Sequence, residues 1–342
     1  MSSKSSSLKV GIAGLGRLGW RHADNLAHRI PHCDLVAACS PVAAELARAE
    51  SDLGVQAGYS NFDQFLDHPG LDAVVLATPS TLHAQQVETV LRRGLPVFVE
   101  KPLALTLDDC IRLEQLAAQP GAPVAMVGFV RRFDASYQNT RRMIDEGRIG
   151  EPFLVRSQTC DRLDPTGAFL QFAPTSGGIF MDCSVHDVDL ARWLLGKPRA
   201  TRAFATGSIA VHPELKAMGD VDNGLAVVEF ETGQRAVVYA SRTFAHGHET
   251  STEVMGTQGK LLVGAGAARD RVLLSDSTGV GHQSVADFYE RFAEAFLREM
   301  EAFVAACRGE ASLPLTLNDA TEATRITLAI TKSLGSGQPE AI

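Results

Sequence analysis

Short apolar runs alternate with amphipathic stretches through the first 125 or so residues. The runs at 8–13, 34–39, 72–77, 96–100 and 124–127 are four to six residues long and rich in Val, Ala, Leu and Ile. That length and composition predict buried strands. Between them the periodicity shifts to helical spacing over 20–29, 41–53, 61–66, 84–93 and 106–118, with Thr106 placed as an N-cap. Strand–helix alternation of this kind predicts an open, mostly parallel, doubly wound sheet. After Gly128 the rhythm changes. A helix is expected to run to Ile144, then strands at 153–158, 202–208, 225–230, 235–242, 252–255, 260–263 and 271–274. Thr232-Gly233 and Thr257-Gln258-Gly259 read as hairpin turns between pairs of these strands. Helices are expected at 176–193, 284–306 and 316–333, with a loose tail from 335 to 342. The fold class is therefore α/β followed by α+β. The expected division is a dinucleotide-binding domain at 1–127 and a second domain at 128–342, built on an open, mostly antiparallel sheet.

The glycine run GLGRLG at 14–19 gives the first domain its chemistry. A lone GxGxxG means little, but this one follows a strand and opens a helix. Gly14 permits the tight turn, Gly16 lets backbone approach a pyrophosphate, and Gly19 lets helix pack on strand. The N–H groups at the helix start then face the phosphates. Ligands in doubly wound sheets lie at the carboxyl ends of strands. Gly14, Gly16, Arg17 and Leu18 fall there, as do Ser40, Thr78, Pro79, His83, Glu100 and Lys101. Ser40 stands where an NAD site usually has Asp or Glu for the ribose hydroxyls. No Arg or Lys follows at once to hold a 2′-phosphate, so NAD is favoured and NADP stays open.

The stretch at 176–193 carries the second set of chemical groups. Asp182, His186 and Asp189 recur at i, i+4 and i+7, which on one helix is a shared face. A carboxylate beside an imidazole on a mostly apolar helix is how an acid–base site is built. The alternative is a capped surface helix with solvated charges.

Composition narrows the classes. The chain has 342 residues, 45% of them hydrophobic, and a net charge of −8. An acidic chain without a basic cluster is a poor match for nucleic acid or an anionic membrane. No apolar run reaches spanning length, and the polar start has no secretory h-region. The six cysteines (33, 39, 110, 160, 183 and 307) form no CxxC pair and no zinc spacing, so no metal site is expected. Reduced thiols fit a cytoplasmic protein. Cys183, next to Asp182, reads as a small buried filler rather than a nucleophile.

Five segments together resemble the Gfo/Idh/MocA-type NAD(P)-dependent oxidoreductases. They are GLGRLG at 14–19, TPSTLH at 78–83, EKP at 100–102, GFVRRFD at 128–134 and GGIFMDCSVHDVDLARW at 177–193. The resemblance spans nearly the whole chain, and the last two segments are most similar to inositol 2-dehydrogenases. It implies an N-terminal Rossmann domain and a homotetramer assembled through the open sheet. It implies Lys101 as the catalytic lysine, with Asp182 and His186 as the acid–base pair. Arg17 in the glycine loop is also typical of those enzymes. The implied substrate is a cyclic polyol, myo- or scyllo-inositol, oxidised at one secondary hydroxyl. An aldose or related sugar, or a non-catalytic cofactor-binding regulator of the same fold, are the competing readings. Arg131, first after the apolar segment, and Asp189 are the residues expected to reach substrate.

Overall fold

The computed structural model describes residues 7–264, 266–270, 272–277 and 279–342. In chain order the elements begin with β1 (Leu8–Ala13), α1 (Arg17–His28), β2 (Cys33–Cys39), α2 (Ala43–Leu53) and β3 (Ala57–Tyr59). Next come α3 (Phe62–Leu66), β4 (Ala73–Leu76), α4 (Ser80–Arg92), β5 (Val97–Glu100), α5 (Leu107–Ala117) and β6 (Ala125–Gly128). They continue with α6 (Ala135–Asp145), β7 (Pro152–Arg162), α7 (Phe169–Phe172), α8 (Val185–Leu194), β8 (Ala200–Ser208), β9 (Asn223–Phe230) and β10 (Arg235–Phe244). The last are β11 (Glu249–Gly256), β12 (Gly259–Val263), β13 (Leu274–Asp276), β14 (Gly279–Gly281), α9 (Phe288–Cys307), α10 (Leu317–Ser336) and β15 (Glu340–Ala341).

Two compact units result. The first takes in residues 1–130 and 294–321, the second 131–293 and 322–342. The first unit is a six-stranded parallel sheet ordered β3-β2-β1-β4-β5-β6. Its central strands are buried along their length, Val74, Val75, Val97, Phe98 and Val99 to 0% exposure. That is why they read as unbroken apolar runs: helices on both faces leave no polar side to the strand. The order reverses between β1 and β4, and the carboxyl ends of β1, β2, β4 and β5 lead into the glycine loop, Ser40, Thr78 and Lys101. Thr106 caps α5 as expected, its side chain accepting from the Asp109 N–H.

The second unit is a seven-stranded sheet ordered β12-β11-β7-β10-β9-β8-β15. It is antiparallel except that β10 runs parallel to β7. Local pattern predicts hairpin neighbours, and β9–β10 and β11–β12 are such pairs. The β7–β10 pairing is a crossover and has no local sign. The strand expected at 271–274 starts outside the described residues at Arg271; Leu274–Asp276 pairs with Gly279–Gly281. The tail differs from expectation. It extends α10 to Ser336 and then adds β15 to the sheet edge, Glu340 opposite Ala203 and Ala341 opposite Arg202. Lys332 pairs with Glu340 across the turn. An open edge with unpaired N–H and C=O groups takes up a strand of any composition, so polarity alone misleads there.

Candidate active site

In the first unit the glycine loop has the geometry its spacing predicts. Gly14 lies at φ +88°, and a Cβ there would drive into the Ala77 carbonyl. A Cβ on Gly19 would strike the Gly14 carbonyl. Both positions are closed to any larger residue. Gly16 is different: a Cβ would meet nothing within 4 Å. Its lack of a side chain answers no protein contact, which is what a surface left clear for an incoming ligand requires. The start of α1 has no side-chain cap and no acidic residue in its first turn. Its N–H groups are thus available to a pyrophosphate, and the loop fits a dinucleotide. Arg17 is exposed and Leu18 half-buried beside it. Gly16→Asp is expected to raise the dissociation constant for dinucleotide by roughly 10² or more, through charge conflict with the pyrophosphate. Fluorescence titration measures it, and unaltered binding would place the phosphates elsewhere.

The missing acid at the end of β2 has a substitute. Ser40 is buried, and its hydroxyl donates to Glu45 Oε2 at 2.5 Å while accepting from the Val42 N–H at 3.1 Å. Glu45, in the first turn of α2, thus brings a carboxylate to the strand end. The next basic residue along, Arg48, stacks on the Trp20 ring at 3.6 Å and pairs with Asp52.

At the ends of β4 and β5, His83 joins two turns. Its Nδ1 lies 2.7 Å from the Pro102 carbonyl oxygen and its Nε2 2.9 Å from that of Thr78. Burial holds the imidazole pKa below its usual value, and the two carbonyl acceptors pull the other way. The Thr78 hydroxyl donates to Gln86 Oε1 at 2.5 Å, and Pro79 is exposed. His83 therefore fixes the backbone around Lys101 rather than offering a free ring edge. Lys101 is half-buried, and its N–H donates to Glu100 Oε2 at 3.2 Å.

In the second unit the expected helix over 176–193 starts late. Gly177 and Gly178 have φ of +80° and +86°, which are not helical values, and Phe180–Ser184 form a π-helical turn before α8. The i, i+4 spacing of Asp182 and His186 spans that junction. Both are half-buried, whereas the neighbouring Met181, Cys183, Ser184 and Val185 are buried. Asp182 Oδ2 accepts from Arg242 Nη2 at 2.9 Å. Around them stand Asp161, 3.7 Å from Cys183 Sγ, and His248, whose Nδ1 is 3.0 Å from Asp161 Oδ1. Arg242 also lies over the Phe169 ring at 5.1 Å. Burial alone would lower the Arg242 pKa, but the surrounding Cys183, Asp182, Asp161 and Asp220 raise it, so it stays a cation. Arg242, Asp161 and His248 come from β10, β7 and the segment before β11. All three fall within 156–175 and 242–250, stretches that the sequence alone leads one to expect along a substrate pocket, but no motif singled out the individual residues, because each depends on strand pairing between distant segments.

Arg131 and Asp189 sit deeper than expected. Arg131 is 3% exposed and donates to Asp187 Oδ1 at 2.9 Å and to the Thr159 hydroxyl at 2.6 Å. Burial pushes the Asp187 carboxyl pKa up, opposed by Arg131 and by donors from Ser157 and Thr159. Asp189 is 2% exposed and takes both prongs of Arg132, Nε at 2.8 Å and Nη2 at 2.6 Å. Asp182 and His186 thus present a half-open face, while Asp187 and Asp189 anchor α8 inward.

Comparison with known proteins matches this architecture at both ends of the chain. Residues 8–129 match the oxidoreductase family with an NAD-binding Rossmann fold, and residues 137–262 match the GFO/IDH/MocA C-terminal domain. The chain is 35% identical to scyllo-inositol 2-dehydrogenase (NAD(+)) of Bacillus subtilis over 97% of its own length and 95% of that protein's. It is 31% identical to myo-inositol 2-dehydrogenase of Thermotoga maritima, covering 87% of each. The crystal structure of scyllo-inositol dehydrogenase from Lactobacillus casei with bound NAD(H) and scyllo-inositol superimposes with a TM-score of 0.94 at 36% identity, covering 98% of this chain and 99% of that one. With a parallel sheet carrying the glycine loop, a mixed sheet behind it in sequence and full-length relatives, the chain belongs to the Gfo/Idh/MocA family of NAD-binding oxidoreductases.

Proposed function

We propose that the protein oxidises one secondary hydroxyl of an inositol to the ring ketone, with NAD as oxidant. The observation that carries this is the pair of half-buried groups Asp182 and His186 at the junction of the π-helical turn and the mostly buried α8, in a chain that also keeps Lys101 at the end of β5. His186 takes the hydroxyl proton as base. Asp182, itself held by Arg242 and four positions before His186, orients the ring. Lys101 offers positive charge to the oxygen as it becomes alkoxide. Bound NAD supplies the hydride acceptor; the chain supplies orientation. The names of the relatives support the inositol ring as substrate. The test is kcat/KM across myo-inositol, scyllo-inositol, D-chiro-inositol, glucose, xylose and glucuronate. We expect an inositol to rank first. Activity confined to an aldose would overturn the substrate, and silence on every polyol with intact NAD binding would favour a binding protein.

The preference for NAD is assigned to Glu45. A carboxylate at the end of β2 bonds ribose hydroxyls and repels a 2′-phosphate. Glu45→Gln is expected to narrow the NAD-over-NADP affinity ratio by roughly tenfold. An unchanged ratio from fluorescence titration would remove Glu45 from cofactor choice.

The homotetramer is proposed through the sheet of the second unit. Phe153, Phe204, Leu225 and Leu262, one from each of four strands, are 41–52% exposed. Apolar side chains repeated across a sheet suit association with another copy. The six cysteines are free thiols, which supports a cytoplasmic setting. Among the described residues no helix is long and apolar enough to cross a membrane.

A further inference from the structure

Behind the strand end that presents Lys101, the first unit buries two carboxylates and an imidazole. Glu299 of α9, Glu100 of β5 and His22 of α1 have ligand atoms all within 4.8 Å of one another. Glu299 and His22 are 0% exposed and Glu100 is 6% exposed. His22 Nε2 lies 2.6 Å from Glu100 Oε1, and Glu100 Oε2 accepts the Lys101 N–H. The ring of His22 packs edge-on to Phe98 and Phe296 at 5.4 and 5.7 Å. Neither oxygen of Glu299 has a hydrogen-bond partner among the described residues. An ionised carboxylate in that position would face a second carboxylate with no donor of its own, a cost the core does not offset.

We propose that Glu299 is a positioning residue kept as a neutral carboxylic acid, its proton leaving the negative charge on Glu100, which clamps His22 of the glycine-loop helix and the backbone of Lys101. The clamp ties together the helix that receives the pyrophosphate and the strand end that presents the lysine. Its catalytic meaning rests on the reading of Lys101 given above. The titratable groups facing Glu299 are Glu100 from β5 and His22 from α1; Glu100 in turn acts on His83 of α4, as does Lys101. Burial, then the charge of Glu100, raises the Glu299 pKa well above its ordinary value. A shared divalent cation is the competing way to neutralise the cluster. It fits less well: two ligands of one zinc ion stand about 3.4 Å apart at tetrahedral angles, not at hydrogen-bond distance. Among the described residues His22 Nδ1 also lacks the partner that a metal-bound imidazole normally has.

The test compares the full chain with Glu299→Gln and Glu299→Met by denaturant unfolding from pH 5 to pH 8, with steady-state kinetics beside it. A protonated Glu299 binds one proton more in the folded than in the unfolded state once pH exceeds the ordinary Glu value of 4.5. Stability that is full below that pH then falls as pH rises towards the folded-state pKa. Gln carries no such proton, so its stability relative to wild type is expected to grow by about tenfold in the folding constant per pH unit, about 1.4 kcal/mol. Met carries no such proton either, so its stability relative to wild type is expected to show the same pH slope as that of Gln, and a Met curve parallel to wild type would likewise overturn the proposal. Parallel pH curves for wild type and Gln would overturn the proposal. So would failure of the Gln variant to fold, since an amide reproduces the neutral acid in shape and donor. Stabilisation of wild type but not of Gln by added Zn²⁺ would replace the proton by a cation. The pH slope is independent of turnover, so an active Lys101→Ala would sink the role of the lysine without touching this result.

Discussion

Lys101→Ala and His186→Ala are each expected to lower kcat by ~10² or more while changing NAD affinity little. The reasoning differs for the two. Removing His186 leaves the hydroxyl proton to water, which at neutral pH is a poor base in any position. Removing Lys101 leaves the developing alkoxide without its positive charge, in a setting where charges act more strongly than in bulk water. Neither side chain belongs to the glycine loop, so dinucleotide binding survives. Stopped-flow measurement of reduced nicotinamide separates the chemical step from product release. Turnover near wild type in His186→Ala would remove it as the base, and a matching result for Lys101→Ala would remove the charge partner.

Asp189→Ala is expected to be the most damaging single change to the second unit, at about 3–5 kcal/mol. Arg132 is 1% exposed and spends both Nε and Nη2 on that one carboxylate. Without it a guanidinium is left buried, a far larger penalty than the net worth of the intact pair. The melting temperature should fall by roughly 6–20 °C for a unit of this size. Arg132→Met combined with Asp189→Leu should recover much of that, because both charges are then gone. Calorimetry decides it. A normal melting temperature with a raised substrate KM would restore Asp189 to the role of a substrate ligand.

These pairs mark where reading the chain in order stops working. The alternation of 8–13, 34–39, 72–77 and 96–100 with helices was legible because burial on both faces writes itself into a continuous apolar run. The glycine loop was legible because steric closure at Gly14 and Gly19 tolerates no other residue. Asp182 and His186 stood out by spacing alone. The π turn at Phe180–Ser184 did not, since nothing in local composition announces an i→i+5 ladder. Arg131–Asp187, Arg132–Asp189 and Arg242–Asp182 join residues 56, 57 and 60 positions apart. A charged residue carries no sign of whether its partner is solvent or a residue that far away. Glu45 escaped notice for a smaller reason. The acid expected on the strand sits instead on the helix that follows, and only the backbone path from Ser40 into α2 brings it back.

The return of residues 294–321 to the first unit bears on how the chain is made. Phe303 packs on Phe98, Asn318 bonds Glu114, and Arg29 pairs with Glu294. A ribosome delivers the six strands of that unit first and these partners close to last. Through most of synthesis Phe98 has His22 of α1 beside it but not Phe303 of α9, so the nascent Rossmann sheet waits with part of its apolar surface open. Such an intermediate is a natural client for chaperones and a poor candidate for expression as an isolated N-terminal fragment. The second unit has six of its seven sheet strands in one continuous stretch, 152–263, and only its edge strand β15 and the end of α10 arrive after the first unit is complete.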